Sequence, residues 1–302
     1  MSKQTSSRLF EQIALIGIGL IGSSIARRVK RDGLANFISV TARSQKSLDK
    51  AVKLGIADEI TLNQNNCVKN ADLIIICSPV GTYAEIIQNI RAGIKPGAII
   101  TDVGSVKQTV IKDLSPHIPD DVHLVPAHPV AGTEHSGPDA GFPELFEDRW
   151  CIITPTNQTN KKAVNQVKKF WQSLGSNVEI MEPKRHDQVM AMTSHLPHLI
   201  AYTIVGTATD LEKTLANEVI KFSAGGFRDF TRIAASDPTM WRDVFLNNSD
   251  AVLEMLQRFS EDITALQRAI RWGEGDKLYE LFSRTREARR GVIAAKQEKM
   301  YD

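Results

Sequence analysis

The N-terminal half of the chain alternates short apolar runs with segments of helical spacing. The apolar runs are unbroken, which is typical of strands covered on both faces of a parallel sheet. They predict strands at Ile13–Ile16, Ile38–Thr41, Leu73–Cys77, Ala98–Asp102, His123–Ala127 and Cys151–Thr154. The helical spacing predicts helices at Ser23–Lys30, Ser47–Leu54, Tyr83–Arg91, Lys107–Leu114 and Lys161–Leu174. This βαβ rhythm indicates an α/β fold with a doubly wound, mainly parallel sheet.

The rhythm ends shortly before Pro183, and helical spacing dominates from there to the end of the chain. Pro183 suits the first turn of a helix. Two long amphipathic stretches, Val244–Arg271 and Asp276–Glu298, follow further on. The pattern therefore predicts an α/β domain over residues 1–182 and an all-helical domain over residues 183–302.

A glycine fingerprint follows the first predicted strand and opens the first helix. Gly17, Gly19 and Gly22 have the GxGxxG spacing in the context that a dinucleotide site needs. They allow a tight turn, close approach of a pyrophosphate, and close packing of helix on strand. Leu20 and Ile21 stand at the start of the helix, where free amides attract phosphates. The pattern favours a Rossmann-type dinucleotide site over a glycine-rich turn without a ligand.

The end of the second predicted strand bears on the identity of the cofactor. NAD-binding folds usually place a carboxylate there, on the 2′-hydroxyl of the ribose. This chain has Ala42 at that position, followed by Arg43 and Ser44, with Lys46 close by. These residues favour NADP slightly, through its 2′-phosphate. Alternatively, Arg43 stacks on the adenine and the protein accepts either NAD or NADP.

Further polar candidates follow other strands, at the edge where ligands of open α/β sheets bind. Ser78, Pro79, Ser105 and His128 all belong to this group. His128 can accept a proton from an alcohol as its carbon loses hydride. Ser105 can bond the same hydroxyl, or it can cap the next helix through the amide of Gln108. The set predicts oxidation of an alcohol by a nicotinamide cofactor.

Two motifs of the helical half add candidates. His195 and His198 stand three residues apart on one helix face, a spacing that can ligate a metal. No third ligand is evident, so we expect no metal and a His198 that faces the cleft. Arg232 lies in an aromatic segment that we expect to be partly buried, and a buried arginine needs an anionic partner. That partner is either a substrate carboxylate or the nearby Asp229.

Composition excludes several classes of function. The chain has 37 Lys+Arg against 35 Asp+Glu, and a formal charge of +2 is no argument for nucleic-acid binding. No apolar run approaches the ~18 residues of a membrane span, and the polar N-terminus lacks a signal-like core. The three cysteines, Cys67, Cys77 and Cys151, are too few and scattered for a disulfide framework or zinc cage. We expect a cytoplasmic protein with a small-molecule substrate and no membrane partner.

Four runs of the sequence resemble signatures of the prephenate/arogenate (cyclohexadienyl) dehydrogenase family of tyrosine biosynthesis. The runs are Asp102–Lys107, His128–Gly137, Ser194–His198 and Gly225–Arg242. The resemblance extends from about Ile13 to beyond Arg271. It implies a Rossmann-type doubly wound parallel sheet followed by an all-helical dimerisation domain, and hence a homodimer. It also implies oxidative decarboxylation of prephenate or arogenate, with hydride transfer to NAD or NADP.

The resemblance further implies roles for individual residues. His128 would take the proton of the ring C4 hydroxyl, and Ser105 would position that hydroxyl. Arg232 would bind the ring carboxylate, while His198 would help to hold the substrate. Other residues that match positions lining or gating the pocket are Thr133, Glu134, Gly225, Asp229 and Trp241.

The chain departs from the family pattern at two positions, and two other functions compete. Ala42 stands where NAD-using members typically have an acid, and Arg228 stands where lysine is frequent. A β-hydroxyacid-type dehydrogenase usually has a catalytic lysine on a helix of its second domain, and none stands out between Met190 and Ile204. A non-catalytic dinucleotide sensor would need no such set of polar residues. The sequence leaves open prephenate against arogenate, and feedback inhibition by tyrosine.

Overall fold

The computed structural model describes residues 8–210, 218, 221–222 and 224–294. These residues belong to two compact units, which divide between Val252 and Leu253. The candidate site lies in the first unit. The end of the predicted helix Asp276–Glu298 lies outside the described residues. The functional boundary expected between residues 182 and 183 stays a prediction.

The main sheet has six parallel strands in the order β3-β2-β1-β4-β5-β6, which is the Rossmann order. The strands are β1 (Phe10–Ile16), β2 (Ala35–Thr41), β3 (Glu59–Thr61), β4 (Leu73–Ile76), β5 (Ile99–Asp102) and β6 (His123–Leu124). Every residue of β4 and β5 is buried, which explains the unbroken apolar sequence of β4. The predicted doubly wound parallel sheet is confirmed.

A smaller sheet contains β7 (Ala127–Pro129), β8 (Trp150–Ile153) and β9 (Asn177–Ile180). The single strand predicted at His123–Ala127 is therefore wrong, because the chain passes from one sheet to the other within it. The amide of Val125 still bonds the carbonyl of Ile100 at 2.8 Å. Pro126 then has no amide with which to continue the ladder. The change of sheet places His128 on β7.

Helices cover the main sheet and form the C-terminal part of the chain. They are α1 (Leu20–Asp32), α2 (Gln45–Lys53), α3 (Gln64–Val68), α4 (Tyr83–Ile90), α5 (Gln108–Leu114), α6 (Lys161–Ser173), α7 (Pro183–Met190), α8 (Leu196–Thr209), α9 (Gly225–Thr231), α10 (Pro238–Asn247), α11 (Ser249–Arg271) and α12 (Gly275–Ala294). The segment Ala191–His195 forms a π-helical turn between α7 and α8. Within the described residues, no helix is both long and apolar enough to cross a membrane.

Helices pack on both faces of the main sheet and form two apolar cores. One core contains residues of α1, α2 and α6 against β1 and β2. The other contains residues of α4 and α5 against β4 and β5, and it includes Trp241 and Val244 of α10. Burial of one such large side chain contributes about 1.5–3 kcal/mol. These two residues therefore hold a helix of the C-terminal part against the sheet.

The long helix predicted at Val244–Arg271 is interrupted at Asn248, which is a second correction. The backbone of Asn248 has φ −119° and ψ 31°, outside the helical region. Its buried side-chain amide donates to the carbonyl of Asp187 at 2.9 Å and lies 3.0 Å from Nδ1 of His195. At this break the helix is interrupted, and the Asn248 side chain forms hydrogen bonds with the buried residues Asp187 and His195.

The glycine turn after β1 is built as tightly as its spacing predicts. Gly17 has φ +103°, a conformation that side chains disfavour. A Cβ on Gly22 would lie 2.3 Å from the carbonyl oxygen of Gly17, whereas a Cβ on Gly19 would meet no atom within 4 Å. Gly22 therefore serves packing, and Gly19 leaves open space beside the backbone.

This difference predicts unequal effects of two alanine substitutions. Gly22→Ala should lower the free energy of unfolding by about 1–3 kcal/mol, because the added methyl group overpacks the turn. Gly19→Ala is the matched control and should change it by less than about 1 kcal/mol. Urea denaturation without nucleotide measures both values. Equal losses would contradict this account of the turn.

Candidate active site

A cleft of about 540 Å³ opens at the carboxyl ends of β1, β2 and β4. The predicted cofactor residues that line it are Gly17, Gly19, Arg43, Ser44, Ser78 and Pro79. Leu20, Ile21 and Gly22 form the first turn of α1 next to it. The cleft thus joins a glycine turn, a helix N-terminus and the ends of three strands, which is the arrangement that a dinucleotide needs.

Among the described residues, no acidic side chain lines the part of this cleft beyond β2. Ala42, Arg43, Ser44, Ser47 and Gln64 line it there. Among the described residues that line the cleft, the one carboxylate belongs to Glu85 on α4. The predicted contribution of Lys46 finds no support, since that exposed residue does not line the cleft.

His128 belongs to a buried chain of hydrogen bonds. Its Nδ1 lies 2.8 Å from Nε2 of His186, and Nδ1 of His186 lies 2.8 Å from Oδ1 of Asp187. His186 and Asp187 both lie on α7, and each is at most 1% exposed. The chain thus links β7 of the small sheet to the first helix of the C-terminal part.

The partners in this chain determine where the protons lie. The carboxylate of Asp187 can only accept, so His186 donates from Nδ1 and accepts at Nε2. His128 then donates from Nδ1, and its Nε2 carries no proton. Burial, followed by His186, Lys107 and His195, lowers the pKa of His128 well below 6.5. At neutral pH, His128 is a neutral imidazole with one nitrogen able to accept a proton.

Asp187 also caps helix α5 from outside that helix. Its Oδ1 accepts from the amide of Lys107 at 2.7 Å, and its Oδ2 accepts from the amide of Gln108 at 2.9 Å. Of the two roles considered for Ser105, the cap on the Gln108 amide is therefore not formed, because that amide donates to Asp187 instead. Ser105 lies in the loop between β5 and α5, and its backbone stands beside the ring of His195.

A buried ion pair holds the residue before His128. Nζ of Lys107 donates to Oδ2 of Asp102 at 2.5 Å and to the carbonyl of Ala127 at 2.8 Å. Oδ1 of Asp102 accepts from the amide of Ala127 at 3.1 Å. Both charged side chains are 0% exposed, so each depends on the other. The pair thereby binds both backbone groups of Ala127 and positions β7.

His195 and His198 have protein partners of their own. The Asn248 amide donates to Nδ1 of His195, so the proton of this ring is on Nε2, which meets no acceptor at hydrogen-bond distance among the described residues although the Ser105 backbone stands beside the ring. The ring of His198 stacks on Trp241 with centroids 3.6 Å apart, and its Nδ1 lies 2.9 Å from the Ser194 carbonyl. In the described part of the chain, no three metal-ligating side chains converge.

Arg232 forms an ion pair with Glu134, which is another of the predicted substrate-binding residues. Its Nη1 donates to Oε2 of Glu134 at 3.1 Å. The expected partial burial of this segment holds for Phe227, which is half-buried. It does not hold for Arg232, whose side chain is 46% exposed, or for Phe230, which is 42% exposed. Gly225 and Asp229 lie in α9, and the hydroxyl of Thr133 accepts from the amide of His135.

Sequence reasoning missed His186, Asp187, Asn248 and the Asp102–Lys107 pair. One signal was available: adjacent histidine and aspartate stand in the first turns of a helix beside a buried site. The Asp102–Lys107 run contributes only Ser105 to the predicted site residues. The contacts that join these groups to His128, α5 and His195 connect segments far apart in the chain, which no local pattern reveals.

A Rossmann sheet with a glycine-lined cleft and a buried neutral histidine defines a dinucleotide-binding oxidoreductase. Family models agree with this class and narrow it. "Prephenate dehydrogenase, nucleotide-binding domain" matches residues 25–180, and "Prephenate dehydrogenase, dimerization domain" matches residues 182–284. The chain belongs to the prephenate dehydrogenase family, and the resemblance found in its sequence is confirmed.

Individual relatives are similar over most of their length. The cyclohexadienyl dehydrogenase of Zymomonas mobilis is 41% identical over 281 residues, covering 93% of this chain and 96% of that protein. The prephenate dehydrogenase of Bacillus subtilis is 34% identical over 287 residues, 95% of this chain and 77% of that protein. A crystal structure of A. aeolicus prephenate dehydrogenase with hydroxyphenyl propionate and NAD+ is similar with a TM-score of 0.87 and 34% sequence identity. The match covers 93% of this chain and 98% of that chain.

Because its buried histidines resist protonation, we expect the free energy of unfolding of this protein to fall in mild acid. Burial lowers the pKa of His195 from 6.5 to about 4. Between these values the unfolded chain binds a proton that the folded chain does not, so stability is full above pH 6.5 and is lost as the pH falls toward 4. His195 alone should account for about 3 kcal/mol of this loss. Urea denaturation from pH 7.5 to 4.5 measures it, and His195→Asn should flatten the slope. An unchanged slope in the variant would contradict the assignment.

Proposed function

We propose that this protein oxidatively decarboxylates prephenate or arogenate, with hydride transfer to a nicotinamide cofactor, in tyrosine biosynthesis. The observation that carries this proposal is the buried His128, whose Nδ1 lies 2.8 Å from Nε2 of His186 and whose pKa burial lowers well below 6.5, so that the ring is neutral. Membership of the prephenate dehydrogenase family supports it. So do relatives that are themselves named as dehydrogenases of cyclohexadienyl compounds and prephenate.

The residues present fit a nicotinamide dinucleotide. Gly19 leaves open space beside the backbone, and the first amides of α1 are available for phosphates. When bound, the nicotinamide accepts the hydride that leaves C4 of the substrate ring. The protein itself orients the ring, removes the hydroxyl proton and allows the C1 carboxylate to leave as CO2. Because the ring becomes aromatic, orientation and one proton transfer are most of what the protein must supply.

Each predicted substrate residue has a role in this proposal. His128 takes the C4 hydroxyl proton at Nε2, and Ser105 positions that hydroxyl. Arg232 orients the ring carboxylate by exchanging Glu134 for it. Holding that carboxylate more tightly would oppose its departure, since only transition-state binding accelerates the reaction. His198 helps to hold the substrate. The residues that complete the pocket are Thr133, Glu134, Gly225, Asp229 and Trp241.

We further propose that the protein works as a homodimer through its helical part. The matching C-terminal family model is named a dimerization domain. Large apolar side chains between 47% and 74% exposed support a covered surface there, and they are Leu253, Ile263, Ile270, Trp272, Tyr279 and Phe282. The family models meet between residues 180 and 182, which supports a functional boundary at 182/183. A cytoplasmic location stays a prediction.

Steady-state assays with prephenate and with arogenate test the function and the role of His128. The wild type should reduce a nicotinamide cofactor with at least one substrate. His128→Asn should lower kcat by about 10²–10⁴, the usual effect of a lost general base, with little change in KM. His117→Asn, outside the site, is the control. Turnover of neither substrate would refute the function, and a variant within a few-fold of wild type would remove His128 from the chemistry.

The cofactor prediction rests on the cleft beyond β2. NADP should be used at least as well as NAD, because Arg43 and Ser44 line the cleft and Ala42 offers no charge to repel a phosphate. Ala42→Asp should shift kcat/KM toward NAD by about 10-fold or more, ~1.4 kcal/mol. Ala42→Asn has the same shape without the charge and should shift it less. A wild type with strong NAD preference would show that Arg43 does not serve the ribose.

A further inference from the structure

The His186–Asp187 pair is buried, polar and assigned no part in holding substrate or cofactor. We propose that both are positioning residues, which keep Nε2 of His128 unprotonated in the resting enzyme and stabilise the imidazolium after proton transfer. This inference rests on the proposed function, because that function makes His128 the base. Its own content is the proton arrangement along Asp187, His186 and His128, which is measurable without turnover.

When both imidazoles are neutral, as burial favours by lowering the pKa of each, the geometry allows one arrangement of protons. Asp187 accepts from the amides of Lys107 and Gln108 and from Nδ1 of His186, with all three distances between 2.7 and 2.9 Å. A carboxylate held by two backbone amides is fixed in position, so His186 is fixed in its tautomer as well. Nε2 of His186 therefore always presents an acceptor to Nδ1 of His128. Without that acceptor, either ring nitrogen of His128 can carry the proton.

The surrounding charges give the same pair a second effect. The titratable groups that influence His128 or stand against its strand are Lys107, Asp102, His186, His195, Asp187 and Cys151. Lys107 disfavours a positive charge on His128, and its own charge is balanced by Asp102 at 2.5 Å. Asp187 is thus the anion that a newly formed His128 imidazolium meets through a neutral His186. This is the logic by which the acid of a serine-protease triad supports its histidine.

His186 is a cleaner probe than Asp187. Asp187 also caps the N-terminus of α5, which directly follows the loop that contains Ser105. Its replacement would therefore disturb two parts of the site. Among the described residues, the His186 ring forms hydrogen bonds only with the carboxylate of Asp187 and with His128. His186→Gln can place an oxygen where Nε2 accepts from His128, whereas His186→Leu fills similar space with no acceptor. The two variants therefore separate an acceptor role from simple packing.

The kinetic test compares these variants with the substrate that the wild type turns over. His186→Leu should lower kcat by about 10²–10⁴ with KM within a few-fold, because the base is left in mixed tautomers. His186→Gln should retain a kcat at least about 10-fold above that of His186→Leu. Thermal unfolding controls for the fold of each variant. Equal, severe losses in two folded variants, or a His186→Leu kcat within about three-fold of wild type, would overturn the proposal.

The spectroscopic test needs no activity. In protein labelled with nitrogen-15 at histidine, the His128 signals are identified by their loss in His128→Asn. The wild-type spectrum should show a neutral His128 ring protonated at Nδ1 and bare at Nε2, and His186→Leu should show a mixture. A wild-type His128 protonated at Nε2 would overturn the inference even if the enzyme is active. If the proposed function fails, the same spectrum still tests the proton arrangement of His128.

Discussion

Asp187 is the group on which the geometry of the site depends. Its two oxygens accept the first amides of α5 and the imidazole of His186, and its own carbonyl accepts from Asn248. Burial opposes ionisation of this carboxyl, but the hydrogen bonds from His186, Gln108 and Lys107 outweigh it and lower its pKa. A buried carboxylate is tolerable only when it is bonded in this way. The same bonds that stabilise the charge also join α5, α7 and β7 at fixed distances.

The chemistry follows from where charge is paired and where it is not. Lys107 and Asp102 neutralise each other and hold Ala127, whereas burial keeps the four rings of His128, His186, His195 and His198 from binding protons, lowering each pKa. In the proposed reaction, His128 can then gain a proton without losing one beforehand. The surface part of the site is different, since Arg232 and Glu134 are solvent-accessible and can exchange partners at little energetic cost.

The sequence by itself determined the layered α/β fold, the glycine turn and the candidates His128, Ser105 and Arg232. These features depend on local patterns: apolar runs make buried strands, and the spacing of three glycines makes one turn. The roles of those candidates stay predictions. The very short elements β3 and α3 are not predicted from the sequence, because three to five residues contain too little periodicity to distinguish a strand or helix from a loop.

Tertiary structure alone decided the change of sheet at Pro126, the helix break at Asn248, the cap on α5 and the tautomer of His128. Each depends on partners that are distant in the sequence: 58 residues separate His128 from His186, and 80 separate Lys107 from Asp187. A pattern within one segment cannot reveal which polar group another segment will bring to it. Once the fold brings them together, burial strongly favours hydrogen bonds between donors and acceptors, and the bonds among Asp187, His186 and His128 determine the proton positions.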